Sequence, residues 1–403
     1  MAAKCLTLTG RGDSVFLTSL TSFLSIKILS LLTQKLHAMK KLLAFLLLTT
    51  QFALAQELAL VRLGDIYGYI TKSGTYAIPL KYYSAKSFSD GLAAFREKDK
   101  WGFINTKGEV VIQPTYDDAK YFNSGICVVA KDKKWFYINK KGEMVSSPPT
   151  EKYYDFEDGI AFFKVMDKIG AINTKGEIVI QPVYEVIKSF EGDYARVRQN
   201  KKWGIIDKTG KVIVEPAYDD IGDYSKGVVW AKLGDTYGLI ISGKFNVLAG
   251  INKIWDFEGQ SLTYARKDKK VGFIDMTGKW VIEPKFDKAR AFRNGLAPVC
   301  VNDKWGYINT KGDFVVQPSY PDAEVFSEDG LAPVKVDQWG FIDKTGQLVI
   351  PAQYDITAFL SFKQKGFVGG VARVKKDKKW GFIDTKGNLL GNQWYENVEP
   401  FSK

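Results

Sequence analysis

"KWGFINTKGEVVIQPTYDDA", residues 100–119, returns as "KWGIIDKTGKVIVEPAYDDI" at 202–221 and as "KWGYINTKGDFVVQPSYPDA" at 304–323. Taking Trp101 as an anchor, the equivalent positions are Tyr67, Trp135, Ile169, Trp203, Tyr237, Val271, Trp305, Trp339 and Trp380. Eight successive steps are 34 residues long and the ninth is 41. Self-similarity at a fixed period marks a repeat array, in which each small unit buries its apolar face against its neighbours.

A 34-residue period also suits paired helices, but the punctuation of this unit excludes them. Gly follows the anchor (Gly102, Gly204, Gly306), a second Gly stands seven residues after it (Gly108, Gly210, Gly312), and Pro stands thirteen after it (Pro114, Pro216, Pro318). An interior helical Pro costs about 3 kcal/mol and each Gly about 1 kcal/mol. The segments between are short and rich in Val, Ile, Phe and Trp, as strands require.

Each unit therefore reads as three strands, such as 101–104, 109–113 and 125–130. Asn105-Thr106-Lys107-Gly108 fits a type I turn, with Asn first and Gly fourth. Pro114 is expected to end the second strand, because it cannot donate to a ladder. A loop carrying Tyr116, Asp117 and Phe122 then crosses back. The expected fold is all-β, with tandem units of three short antiparallel strands stacked into an elongated or curved array. A closed, propeller-like ring is the alternative.

Residues 39–55, "MKKLLAFLLLTTQFALA", have the three parts of a secretory signal: Lys40 and Lys41, an apolar run from Leu42 to Leu48, and the small-residue cleavage site Ala53-Leu54-Ala55. The run is too short to span a membrane. Residues 1–38 precede a complete signal and read as an upstream start, so the expected mature chain is 56–403, a single array of about ten units exported to the periplasm, cell surface or medium. The prefix takes six of the 57 Lys and Arg and one of the 45 acids, leaving 51 bases against 44 acids, or +7. A basic surface so mixed with acids is not a nucleic-acid arm.

The one histidine, His37, falls in that prefix. Without it, neither a Ser-His-Asp or Cys-His mechanism nor a His-ligated zinc site can be built. No metal and no cofactor are expected. Cys127 and Cys300 sit at different offsets in their units and read as buried free thiols.

The unit W-G-[FIY]-I-[DN]-x-x-G-x-x-V-[IV]-x-P-x-[YF] resembles the WG, or KWG, repeat of bacterial proteins, over about residues 60–403. The resemblance implies an all-β repeat scaffold and usually an exported or surface protein; it supplies no catalytic motif. The unit from Tyr237 departs from the pattern, because Gly243 comes one residue early and Gly250 replaces Pro. The step before Trp380 holds seven extra residues near 359–370.

Anchors that alternate between Trp, Tyr, Ile and Val read as core, where volume and apolarity are what packing needs. Tyr116, Tyr184, Tyr218, Tyr320 and Tyr354 read as packing between units. Trp230, Trp255, Trp280 and Trp394 lie off the motif and are candidate ligand contacts. Asp117-Asp118 and Asp219-Asp220 recur with the period and read as turn caps or exposed acids, rather than as calcium ligands or glycosidase carboxylates.

Lys107, Lys141, Lys175, Lys208, Lys311, Lys344 and Lys386 lie in the first turn of their units, and Lys100, Lys134, Lys202, Lys270, Lys304 and Lys379 just before the anchors. Stacked units would align them into ridges able to attract a protein or an anionic glycan, unless they serve as gatekeepers of exposed strands. The expected function is a non-enzymatic, exported scaffold that binds protein or glycan at the bacterial envelope. The alternatives are a structural spacer and, last, a glycan-cleaving enzyme using carboxylates.

Overall fold

Blade 8 shows how the repeat folds. Leu296–Val301 and Lys304–Asn309 pair through a two-residue turn at Asn302 and Asp303, whose φ angles of 50° and 58° are those of a type I′ hairpin. Phe314–Tyr320 adds along the other side of Lys304–Asn309, and a two-residue strand, Lys288–Ala289, flanks Leu296–Val301. The sheet thus takes its first two strands from one sequence unit and its last two from the next. In this computed structural model, which describes residues 56–355 and 365–403, ten antiparallel sheets follow one another among the described residues, seven of four strands and three of three. Residues 1–38, the signal-like residues 39–55, and 356–364 in the region of the seven-residue insertion lie outside the described residues.

Of the two shapes open at the sequence level, the closed one is observed. The first blade has strands Ala59–Leu63, Ile66–Ile70 and Tyr76–Tyr82, and its missing strand is Asn397–Val398 from the opposite end of the chain. Leu58 and Ser402 exchange backbone hydrogen bonds of 2.9 and 3.0 Å, and Glu399 N–H donates to the Leu60 carbonyl at 2.8 Å. Residues 57–403 are therefore a ten-bladed β-propeller closed by strand exchange between its ends. Closure removes the two free faces that an open array would leave wet.

The expected end of a strand at Pro114 is not observed. Val110–Tyr116 runs straight through it. Trp101 pairs with Tyr116 and Phe103 with Ile112, so three residues bulge out opposite Gly102. Pro114 sits in that bulge, where no ladder N–H is required. A Cβ on Gly102 would lie 2.5 Å from the Ile112 carbonyl oxygen, and one on Gly204 or Gly306 would meet Val214 or Val316 in the same way. Gly108, Gly210 and Gly312 hold φ of 79°, 84° and 89° in the turn before the bulged strand. Asn105 Oδ1 caps that turn by accepting from the Lys107 and Glu109 N–H groups, both at 3.0 Å.

The bulge explains the Pro-x-Tyr spacing: it places the crossover aromatic opposite the anchor. The pairs are Trp101 with Tyr116, Ile169 with Tyr184, Trp203 with Tyr218, Trp305 with Tyr320 and Trp339 with Tyr354. Blade 3 lacks all three parts. Phe136 replaces the Gly, the outer strand is cut to Met144–Val145, and Trp135, with no aromatic opposite, is 39% exposed. In blade 6 the early Gly243 makes a two-residue turn with Ser242 (φ 49° and 77°), and the outer strand Lys244–Val247 pairs without a bulge.

The core lies elsewhere than the anchors predict. Val271, Trp305 and Trp339 are buried, but Trp101, Trp203 and Trp380 are only half-buried. The fully buried layer is the residue two past the anchor (Phe103, Tyr137, Phe273, Tyr307, Phe341) packed on the crossover Phe (Phe122, Phe156, Phe292, Phe326, Phe367), at ring separations of 4.7–5.2 Å. The anchor rings instead sit beneath cations. Lys86 lies 5.0 Å from the Trp101 ring, Arg290 4.7 Å from Trp305 and Arg373 3.5 Å from Trp380.

Candidate functional site

In a four-stranded meander the first and third turns share one end of the sheet and the second turn lies at the other. The propeller therefore has two chemically different faces. On the second-turn face, four of the lysines before the anchors are each neutralised by an acid of the following crossover. Lys202 and Asp219 are 2.5 Å apart, as are Lys270 and Asp287 and Lys379 and Glu396, and Lys100 binds Asp117 in the same way. The second oxygen of each aspartate caps the turn: Asp117 accepts from Asp132 N–H at 2.7 Å and Asp219 from Gly234 N–H at 2.7 Å. The lysine and these N–H groups hold the Asp117, Asp219 and Asp287 carboxyls below the usual range. Those acids are turn caps, and that lysine ridge is largely compensated.

The opposite face carries the first- and third-turn residues. Lys107, Lys141, Lys175, Lys311, Lys344 and Lys386 stand exposed there, with no ion pair to a described residue. Lys208 is partly buried and lies 3.6 Å from both Asp158 and Asp193. In blades 2, 3, 4 and 8 an acid two residues on (Glu109, Glu143, Glu177, Asp313) shares the turn with its lysine, which dilutes the ridge.

Inside this rim the first strands are tied together by cations. Lys86 donates to the Ala119 carbonyl of the next blade, Lys120 to Tyr153, Arg196 to Ile221, Arg290 to Ala323 and Arg373 to Val398. These five carbonyls occupy the same position in five blades. Blades 6 and 7 break the pattern. Gly222 stands where Lys86 or Arg290 stands elsewhere, and Trp230 fills the space, donating its indole N–H to Asp256 Oδ1 at 2.8 Å. Trp255 stacks on Tyr264 at 4.5 Å with Lys253 over its other ring face.

The four off-motif tryptophans therefore divide. Trp230 is buried with its N–H satisfied. Trp394 packs against the core of blade 10 beside Gly381, and Trp280 and Trp255 are partly buried.

The irregular sector nonetheless borders a groove of about 690 Å³ that runs along the first turns of blades 5 to 8. Its walls include Asp193, Tyr194, Asp223, Tyr224, Asp256 and Glu258. The tyrosines are the residues that motif reading missed. At the position of Tyr194 other blades have Leu92, Ile126, Ile160, Val228, Leu296 or Leu331, all buried, or the half-buried Leu262, and at that of Tyr224 they have Phe. Column-by-column comparison of the repeats would have found both. Their rings lie 4.6 Å apart, tilted by 59°, and both are partly exposed.

The carboxylates of the groove are largely engaged. Asp223 lies 3.0 Å from Arg196 Nε, Asp256 accepts from Trp230 and from Asp223 N–H, and Glu258 pairs with Arg293. Among the described residues no cluster of acids, Cys or His is arranged to hold a metal ion, and no helix is long and apolar enough to cross a membrane.

The WG containing repeat matches eight stretches: 67–101, 101–135, 135–168, 169–203, 203–237, 272–305, 305–338 and 339–380. The chain belongs to the WG repeat family. The gap between 237 and 272 is the irregular unit. No curated protein matches this WG repeat chain. Among solved structures, a eukaryotic initiation factor is 12% identical with TM-score 0.42, covering 73% of this chain and 95% of its own. Hsv2 of Kluyveromyces lactis is 14% identical with TM-score 0.31, covering 60% and 95%. The dihydro-heme d1 dehydrogenase NirN is 10% identical with TM-score 0.31, covering 73% and 72%.

Proposed function

We propose that this WG repeat protein is an exported, non-enzymatic scaffold that binds a macromolecule of the bacterial envelope, protein or glycan, on the face that carries the first and third turns. Export rests on the signal-like residues 39–55. The observation that carries the binding reading is convergence. The residues of blades 5 to 7 that depart from the repeat converge: Tyr194, Tyr224 and Asp256 line one groove, and Trp230, seated over Gly222, donates to Asp256 in its wall. Packing alone would keep the repeat's own residues there, so departures that gather at one groove fit a recognition surface better than a uniform spacer.

A glycan-cleaving role finds less support. It needs one carboxyl poised to give a proton and a second at a set distance, whereas Asp223, Asp256 and Glu258 are each engaged by a cation or N–H donor. Hydrogen–deuterium exchange of the full chain, with and without an envelope extract, tests the proposal. Protection is expected at 191–194, 223–226 and 256–259. Protection nowhere on the propeller would favour the spacer.

A further inference from the structure

The groove has a second property that narrows its ligand. Its aromatic pair replaces aliphatic and Phe side chains at positions that most other blades bury, and here both rings are partly exposed at the groove. Around the pair stand five carboxylates, Glu191, Asp193, Asp223, Asp256 and Glu258, three of them held by a cation. Asp193 has Lys208 at 3.6 Å, Asp223 has Arg196 at 3.0 Å, and Glu258 has Arg293. Ser225 and the exposed Lys226 complete the wall.

A polyanion would meet these acids and would have to displace them from their cations. A neutral polyhydroxylated chain would not. Its apolar C–H faces suit aromatic rings, and its hydroxyls can share the carboxylates and amides already held in place. The groove follows four consecutive first turns, a shape for an extended chain rather than a compact small molecule.

We propose that the groove along blades 5 to 8 binds a neutral oligosaccharide, with Tyr194 and Tyr224 as its contact platform. This rests on the binding-scaffold reading above and assigns its ligand class. The variant that tests it restores the repeat's own residues, Tyr194→Leu with Tyr224→Phe, and so breaks the platform by deleting the Tyr194 ring and the Tyr224 hydroxyl.

Calorimetric titration of the full chain with neutral hexasaccharides (chito-, cello-, xylo- and malto-) and with hexagalacturonate separates the outcomes. Expected is binding of at least one neutral hexasaccharide, weakened roughly tenfold or more in the double variant, whose thermal midpoint stays at or above that of the parent. Neutral binding unchanged in the double variant overturns the site, and binding of hexagalacturonate alone overturns the ligand class. If no sugar binds but an envelope protein protects this face from exchange, this inference fails and the scaffold reading stands. If neither is seen, both fail.

Discussion

Trp230 donates its indole N–H to Asp256 Oδ1 across the boundary between blades 6 and 7, at 2.8 Å, over a glycine that leaves room for it. Everywhere else that a contact is seen at this level, a Lys or Arg reaches for a backbone carbonyl. The pair is therefore a local replacement for the cationic tie, and its loss is measurable. Trp230→Phe keeps the ring and deletes the donor. It should lower stability by about 1.5–3 kcal/mol, the worth of a hydrogen bond to a charged acceptor, read as a lower denaturant midpoint with an unchanged m-value. Gly222→Ala should cost more, because its Cβ would stand 2.1 Å from Trp230 Nε1.

Gly306 and Gly295 make opposite predictions about what glycine does here. A Cβ on Gly306 would lie 2.4 Å from the Val316 carbonyl oxygen, a backbone atom of the same sheet, so Gly306→Ala must spread the bulge and should cost about 3 kcal/mol. Gly295 has φ of 84° with open space around it, and Gly295→Ala should cost only the left-handed penalty of about 1 kcal/mol. Urea denaturation of the two variants compares them directly. Equal losses would show that Gly306 also serves through conformation alone.

Ring closure makes the last residues structural. Val398 is fully buried in blade 1 and pairs with Val61. Val398→Asp places a carboxylate there and should lower the thermal midpoint by several degrees. It should also release amide exchange first in Ala59–Leu63, with blades 4 to 7 affected least. Uniform loss of protection around the ring would mean the blades unfold as one unit.

Acid should weaken the second-turn face first. The carboxyls of Asp117, Asp219, Asp287 and Glu396 are held below their ordinary values, chiefly by Lys100, Lys202, Lys270 and Lys379. A folded value below the unfolded one, about 4, gives stability that is fully present above pH 4 and lost as pH falls through the folded value. The thermal midpoint should therefore drop below pH 4. A variant with all four changed to Asn or Gln should show a flatter profile and a lower midpoint at pH 7.

The thiols supply a check on burial. Cys127 is pushed up to about 12 by desolvation, and Cys300 is raised for the same reason. Neither should react with a thiol reagent at pH 8 until the protein is denatured. Rapid native labelling of Cys127 would show that the interface between blades 2 and 3 opens.

The repeat period, the exclusion of helices, the turn at Asn105–Gly108 and the count of ten units were all legible in the chain, because they depend on contacts within a few residues. The type I turn needs only Asn, Gly and local geometry. The reading of Pro114 as a strand end failed because a proline reports the absence of a donor, not whether the sheet needs one there. Only the register between Trp101 and Tyr116 shows that a bulge takes it up. The anchors were read as core from their interchange with Ile and Val, but the deepest layer belongs to Phe103 and its equivalents. The alternation of faces along a strand cannot say which face meets the neighbouring blade.

What the amino-acid sequence determined alone, then, is the unit: its strands, its turns, and the positions where Gly and an aromatic are required. Tertiary structure decided that the units close, that Lys100, Lys202, Lys270 and Lys379 are each paired with an acid 17 residues on, and that Tyr194 and Tyr224 meet. Those outcomes depend on small twists summed over ten blades and on side chains from different repeats arriving at the same point. No single unit encodes that sum; it appears only when Asn397–Val398 pairs beside Ala59–Leu63.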